Sequence, residues 1–311
     1  MRALITGATG FVGTHLSKLL IEKGYKVWGL SRSRAYNDNV TIVKDDLSNE
    51  ESLIQLINEI KPTHIYHLSG QSSVRKSWDF KKDTFQINVF QTMNLLEAVR
   101  KSKVSDSVKV LTVGSSEEYG SISSEEPIHE DNICKPISPY GISKACCSML
   151  SMQYNKVYGL NTFHVRPFNH IGPGQSQGFV VTDFAVQIVA IEKGLQEAVL
   201  RVGNLSSFRD FTDVRDIVKA YHILMESKES KYGETYNVCS GNPVQIQELL
   251  TILLSLSTKK IEIVYDENRM RPSDIPFFVG RKEKISSLGW DNTIPLSSTL
   301  NDVLNSIRNI L

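Results

Sequence analysis

The sequence predicts an α/β fold: a doubly wound parallel sheet with a smaller C-terminal α/β lobe. Three observations carry this expectation. Short apolar runs alternate with segments of helical periodicity through the first half of the chain, the pattern of a parallel sheet covered on both faces. The pattern Gly7-x-x-Gly10-x-x-Gly13 sits between the first apolar run and the first helical segment. After residue 166 the alternation loosens and turn-rich stretches such as Gly172-Pro173-Gly174-Gln175 appear. We therefore expect one unit over residues 1–166 and a second over 167–311, with later helices such as 214–225 free to return to the first.

The elements follow in order. Residues 2–6 form a short apolar run closed by Gly7, and Val12, Leu16, Leu19 and Leu20 then repeat at helical spacing up to Gly24, where a helix ends readily. Strands are expected at 27–30 and 40–43, the latter ending at Asp45-Asp46-Leu47. Leu53, Leu56, Ile57 and Ile60 mark a helix stopped by Pro62. A strand at 65–68, a long amphipathic helix over 80–100 and a strand at 108–113 come next, followed by a helix containing Tyr140 and a strand at 162–165. Beyond these, helices are expected over 179–193, 214–225, 245–256 and 297–310, with strands at 208–211, 235–238 and 261–264.

Composition narrows the class. The chain has 311 residues, 41% hydrophobic and 22% charged, ordinary values for a globular enzyme. A formal net charge of +1 provides no general field for nucleic acid or an anionic membrane. No apolar run approaches a membrane span, and Met1-Arg2 leads directly into a strand-like run rather than a signal peptide. Cys134, Cys146, Cys147 and Cys239 lack metal-ligand spacing, and the seven histidines form no H-x-x-x-H pair. The expectation is a cytoplasmic protein with reduced thiols and no bound metal.

The glycine pattern is the strongest local signal. Its glycines permit a tight turn, close approach of backbone to a pyrophosphate and close helix–strand packing. The following helix N-terminus offers amide donors and the positive end of its dipole. A glycine-rich turn without a ligand is the bland alternative, but the strand–helix context favours a Rossmann-type dinucleotide site. Its candidate contacts are Gly7, Thr9, Gly10, Phe11, Val12 and Gly13. At the end of the second strand an acidic residue would bind the adenosine ribose. Ser31-Arg32-Ser33-Arg34 stands there instead. A guanidinium suits a 2′-phosphate, so NADP(H) is favoured and NAD(H) remains open. Asp46 and Leu47 are placed to meet adenine, and Leu68, Ser69, Gly70 and Gln71 to line the pyrophosphate and ribose.

Tyr140 and Lys144 lie four residues apart behind Ser138-Pro139. On a helix they share one face. An ammonium beside a phenol is expected to lower the phenol pKa and ready it for proton transfer. Taken alone, the spacing equally fits a surface helix with a half-buried tyrosine.

Together these residues resemble the extended short-chain dehydrogenase/reductase family. The resemblance rests on the glycine pattern, Asp46-Leu47, residues 67–72, Ser115-Ser116 and Tyr140-x-x-x-Lys144. The stretches 166–175, 209–216, 236–241 and 271–274 narrow it to the nucleotide-sugar branch, and Gly114-Ser115-Ser116-Glu117-Glu118-Tyr119-Gly120 is most similar to GDP-4-keto-6-deoxy-D-mannose reductases. The resemblance implies NAD(P)H-dependent reduction of the C4 ketone of a GDP-bound 4-keto-6-deoxyhexose. Tyr140 would be proton donor, Lys144 its partner and ligand of the nicotinamide ribose, and Ser115 a donor to the substrate oxygen.

Other roles follow from the same resemblance. Asn169, Arg209 and Arg271 are the candidate diphosphate and nucleoside contacts, although Arg271 also fits a plain loop arginine and Arg209 an ion pair with Asp210 or Asp213. Val180 follows the nucleoside-contacting Phe179, and Asp183 is a candidate guanine reader. Ser73, Val74 and Ser116 are expected at the hexose, and His170 near the nicotinamide or simply in the core. Glu117 is left between a substrate-binding role, a structural role and the base of a 4,6-dehydratase. A 4,6-dehydratase or 4-epimerase is thus an alternative, and a non-catalytic NADP-binding sensor a further one. The resemblance also implies a homodimer built on a four-helix bundle; the apolar helix after Tyr140 fits its interface, and equally fits a helix buried within one subunit.

Overall fold

The computed structural model describes residues 1–31, 40–122, 126–269 and 275–311. Its first half runs β1 (Arg2–Thr6), α1 (Phe11–Glu22), β2 (Lys26–Ser31), β3 (Thr41–Lys44), α2 (Glu50–Ile60), β4 (His64–His67), α3 (Val74–Asp79), α4 (Lys81–Phe85), α5 (Gln91–Lys101), β5 (Lys109–Val113), α6 (Pro139–Tyr158) and β6 (Asn161–Pro167). The second half runs β7 (Asn169–Ile171), α7 (Val180–Glu192), β8 (Val199–Val202), β9 (Phe208–Asp213), α8 (Val214–Glu226), β10 (Thr235–Val238), β11 (Pro243–Gln245), α9 (Ile246–Ser255), β12 (Glu262–Tyr265), β13 (Phe277–Phe278), α10 (Glu283–Ser286) and α11 (Leu296–Arg308).

Seven strands form the main sheet in the order β10-β6-β5-β4-β1-β2-β3. Every neighbouring pair is parallel. The chain starts at β1, moves outward to β3, then returns to the other side of β1 with β4. That reversal is a doubly wound topology, and ligands bind in the crevice it opens at the strand C-termini.

Successive residues of a strand point to opposite faces, so one apolar strand feeds two cores. Ala3 and Ile5 of β1 join the core that contains Leu16 and Leu20 of α1 and Ile217, Tyr221 and Leu224 of α8. Leu4 joins the opposite core with Leu53 and Ile57 of α2, Leu95 and Val99 of α5 and Tyr154 of α6. Residues 214–226 and 235–238 therefore return to the main sheet, α8 as a covering helix and β10 as an edge strand.

The rest of the second half has its own core, in which α7, α9 and α11 pack together around β8. Its strands form two small sheets. In one, β9 pairs antiparallel with β11 and parallel with β13 and β7. In the other, β8 pairs with β12.

The long helix expected over residues 80–100 is present as a continuous helical path, α4 running through a π turn at Gln86–Phe90 into α5. Only the π turn within it was not expected, and side-chain bonding accompanies it. The Asn88 carbonyl accepts from the Thr92 hydroxyl at 2.5 Å and from the Cys147 thiol at 3.1 Å. π turns are frequent at functional sites, and this one turns Asn88 toward the strand ends. The short β7, β8, β11 and β13 were not expected. Each has two to four residues, too few to show alternation.

Candidate active site

The loop after β1 is shaped by missing side chains. Gly7 has φ +71°, and a Cβ there would lie 2.9 Å from the Ser69 nitrogen. A Cβ on Gly13 would stand 2.2 Å from the Gly7 carbonyl oxygen. Glycine at 13 thus lets α1 begin directly against the loop. The helix starts at Gly10 without a side-chain cap, so its first amides stay available to an anion. Thr9 and Phe11 flank this start, with the Thr9 hydroxyl 3.4 Å from that of Ser31 at the end of β2. Val12 packs on the core beneath. These features fit a dinucleotide pyrophosphate.

The remaining cofactor candidates ring the same strand ends. Leu47 is buried and its carbonyl is held by Asn94 at 2.9 Å, whereas Asp46 is exposed and accepts from the Ser48 amide at 2.8 Å. Leu68 continues the pairing with β1 (N to Thr6 O, 3.2 Å), and the Ser69 amide donates to the Thr6 hydroxyl at 3.1 Å. Gly70 leaves room beside Asn88 and the Lys144 ammonium, since a Cβ there would lie 3.1 and 3.4 Å from them. The Gln71 amide donates to Asn88 Oδ1 at 2.8 Å. His170 is partly buried and stacks on Phe11 with ring centroids 6.1 Å apart. Arg32 lies outside the described residues.

Tyr140 and Lys144 sit in the first turns of α6. Ser138 caps the helix by accepting from the Gly141 amide at 3.0 Å, and Pro139 occupies the first turn, where its missing N–H costs nothing. Both side chains are buried, and the ammonium stands 5.9 Å from the centroid of the Tyr140 ring. Lys144 donates to the Val113 carbonyl at 2.8 Å, which ties α6 to the end of β5.

The expected lowering of the Tyr140 pKa is not what the structure has. Burial pushes the phenol well above its ordinary value; the nearby Ser115 hydroxyl pulls it down less, and Glu117 and Glu118 nearby push it up further. Burial also lowers the Lys144 pKa.

Ser115 lies two residues past β5 and caps a single 3₁₀ turn, Ser116–Glu118. The Ser115 hydroxyl accepts from the Glu117 amide at 3.2 Å, while Glu118 Oε1 accepts from the Ser115 amide at 3.0 Å. Ser116 is buried and Glu117 is partly exposed. Ser115, Tyr140 and Lys144 are thus brought together from the turn after β5 and from α6, with the glycine loop on the adjacent strand but one.

Two side chains at the site escaped the sequence reading. Asn88 bridges three segments: its Nδ2 donates to the Gln71 carbonyl at 3.1 Å and to the Ser143 hydroxyl at 2.9 Å. A polar residue on the buried face of an amphipathic helix was the available signal. His67 links Thr6 Oγ1 at 2.8 Å to Thr92 Oγ1 at 2.9 Å. Burial, with the Lys144 charge nearby, lowers its pKa to about 3, so it is a neutral strut.

The substrate candidates are more dispersed. Ser73 caps α3, accepting from the Lys76 amide at 3.2 Å, and Val74 opens that helix. Asn169 is exposed in β7, opposite Phe211 of β9. Arg209 is half-buried and donates to the carbonyls of Phe208 and Ile275 at 2.8 and 2.6 Å. Its acidic neighbours have other partners: Asp210 accepts from the Ser240 and Gly241 amides at 2.7 and 2.8 Å, and Asp213 pairs with Arg215 at 2.7 Å. Val180 is the first residue of α7. One Asp183 oxygen accepts from the Gly178 amide at 2.8 Å, so only part of that carboxylate could serve a base edge. Arg271 lies outside the described residues. Among the described residues, no group of three or more His, Cys, Asp or Glu side chains is arranged to hold a metal, and no helix is long and apolar enough to cross a membrane.

Known proteins share this fold. The family model for GDP-mannose 4,6 dehydratase matches residues 4–303. The chain belongs to the GDP-mannose 4,6 dehydratase family. A GDP-6-deoxy-D-mannose reductase of Pseudomonas aeruginosa is 35% identical over 306 residues, spanning 98% of this chain and 96% of the relative. The human GDP-mannose 4,6 dehydratase is 28% identical over 341 residues, spanning 98% and 90%. Among solved structures, RMD from Pseudomonas aeruginosa complexed with NADPH matches with a TM-score of 0.87 at 32% identity, covering 100% of this chain and 99% of that one. The UDP-glucose 4-epimerase of Thermus thermophilus, in complex with NAD, matches with a TM-score of 0.87 at 27% identity and covers all of both chains. Family membership accounts for the extended short-chain dehydrogenase/reductase fold and for the dinucleotide loop after β1.

Proposed function

We propose that this family member is an NADP(H)-dependent ketoreductase that reduces C4 of GDP-4-keto-6-deoxy-D-mannose. The product is GDP-D-rhamnose, or GDP-6-deoxy-D-talose if the opposite face of the ketone is presented. The observation that carries the reading is the identity with the GDP-6-deoxy-D-mannose reductase over 98% of this chain. When bound, the nicotinamide supplies the hydride. The chain's own part is to hold the ketone and deliver a proton. Ser115 donates to the C4 oxygen, Tyr140 gives that oxygen its proton, and Lys144 holds the nicotinamide ribose beside Gly70. A phenol is protonated at neutral pH and so can act as the donor in the reductive direction. The guanidiniums of Arg32 and Arg34 just after β2, where no acidic residue stands, support NADP(H) over NAD(H).

Residues 1–166 together with the returning 214–226 and 235–238 form the cofactor unit in this reading, and the rest of 167–311 shapes the nucleotide-sugar lobe. Asn169, Arg209 and Arg271 serve the diphosphate, Val180 and Asp183 the guanosine, and Ser73, Val74 and Ser116 the hexose.

Glu117 beside Ser115 favours a second reading, the 4,6-dehydratase of the family's description, in which a carboxylate base acts at C5. Consumption of NADPH separates the two. A reductase oxidises one NADPH per keto-sugar at 340 nm, and NMR of the product gives the C4 configuration. A dehydratase or epimerase recycles its hydride and shows no net consumption. NADPH binding with no turnover of any keto-sugar would favour the sensor alternative, against which the intact Ser115, Tyr140 and Lys144 stand.

The dimer expectation has support on α6. Met149 and Met152 are 59% and 41% exposed, and Phe90, just before α5, is 47% exposed. An apolar strip of this kind on adjoining helices suits a four-helix bundle between two copies of a cytoplasmic protein. Replacing Met149 and Met152 together by glutamate is expected to convert a dimer to a monomer in sedimentation velocity. A wild-type chain that sediments as a monomer at micromolar concentration would refute the dimer.

A further inference from the structure

The loop that presents Ser115 contains a second carboxylate for which the proposed chemistry has no use. Glu118 is fully buried. Its Oε1 accepts from the Ser115 amide and stands 3.0 Å from His164 Nε2, and its Oε2 accepts from Arg166 Nε at 2.7 Å. His164 is anchored in turn by Thr112, whose hydroxyl lies 2.8 Å from Nδ1. Arg166 Nη2 reaches the Ser148 hydroxyl of α6 at 3.4 Å, and its guanidinium lies over the Tyr119 ring at 4.7 Å. The fit leaves no slack. A Cβ on Gly114 would fall 1.9 Å from Glu118 Oε1 and 2.2 Å from His164 Nε2.

A buried ionic cluster contributes little net stability, because desolvation offsets its Coulomb energy. A single 3₁₀ turn is too short to define its own orientation. We infer that Glu118 is a positioning residue for Ser115, clamping its backbone amide so that the hydroxyl is aimed at the Tyr140 side of the pocket. His164 and Arg166 hold the carboxylate in the one orientation that does this. The inference rests on the reading of Ser115 as donor to the substrate oxygen.

A double-mutant cycle tests it. Glu118→Gln keeps the volume and an acceptor, but removes the charge that His164 and Arg166 grip. If Glu118 acts through Ser115, Glu118→Gln lowers kcat about tenfold in the Ser115 enzyme and less than about twofold after Ser115→Ala, since coupled residues are non-additive. KM for the GDP-sugar and Kd for NADPH should stay within about twofold of wild type in both. Equal losses in the two backgrounds, or no loss in either, overturn the inference. Should Glu118→Gln fail to fold, Thr112→Val, which removes the hydroxyl behind His164, is put through the same cycle and judged by the same criterion. Full activity of Ser115→Ala alone would instead overturn the reading of Ser115, and it is seen without touching Glu118.

Discussion

Replacing Tyr140 by phenylalanine should leave the fold and NADPH affinity intact and lower kcat by roughly 10²–10⁴-fold, the usual loss for a positioned proton donor. The ring itself is 7% exposed and well packed, so phenylalanine keeps its volume and apolar contacts. The helix start is held by Ser138, whose hydroxyl accepts from the Gly141 amide, and does not depend on the phenol. What disappears is one buried hydroxyl near Ser115, whose pKa burial raises. Stopped-flow measurement of NADPH oxidation, alongside an NADPH fluorescence titration, separates chemistry from binding. A kcat within threefold of wild type, roughly 0.65 kcal/mol in the barrier, would remove Tyr140 from the chemistry.

Gly13→Ala should weaken NADPH binding by about 100-fold, equivalent to about 2.7 kcal/mol. Two effects oppose each other. Alanine favours a helix over glycine by about 1 kcal/mol, and Gly13 is the third residue of α1. Yet the new methyl would meet the Gly7 carbonyl oxygen at 2.2 Å and the Ala8 Cα at 2.8 Å, both backbone atoms. No rotamer change relieves that, so α1 must move away from the loop. Overpacking of this kind costs about 1–3 kcal/mol, which exceeds the propensity gain. The displaced element is the one whose first amides would face the pyrophosphate, so binding suffers more than stability. Thermal unfolding within a few degrees of wild type, with NADPH Kd raised, is the expected pair of results. An unchanged Kd would show that the loop tolerates the methyl and that the glycine is not needed for close approach.

Much of the candidate site could be read in the sequence because its requirements are local. Gly7, Gly10 and Gly13 are spaced by a turn and a helix start. Tyr140 and Lys144 are one helical turn apart, and Ser138-Pro139 marks where that helix begins. The π turn at Asn88 was not legible. It depends on Thr92 and Cys147 satisfying the carbonyl of residue 88, and Cys147 lies on a helix 59 residues away. The division of labour between Glu117 and Glu118 was likewise hidden. Adjacent glutamates look alike in a sequence, and only their neighbours distinguish them: one is partly exposed, the other sealed against His164 and Arg166 of β6.

The sequence by itself determined the α/β class, the strand–loop–helix that cradles a dinucleotide, and the residue types gathered for carbonyl reduction. Periodicity and glycine conformation act over a few residues, and a few residues suffice to show them. The tertiary structure decided that residues 214–226 and 235–238 return to the main sheet, that His67 and Asn88 brace the pocket, and that the Tyr140 pKa goes up rather than down. These outcomes depend on burial and on groups from distant strands. A short-range rule pairs Lys144 with Tyr140, but desolvation by the whole fold is the larger effect on the phenol.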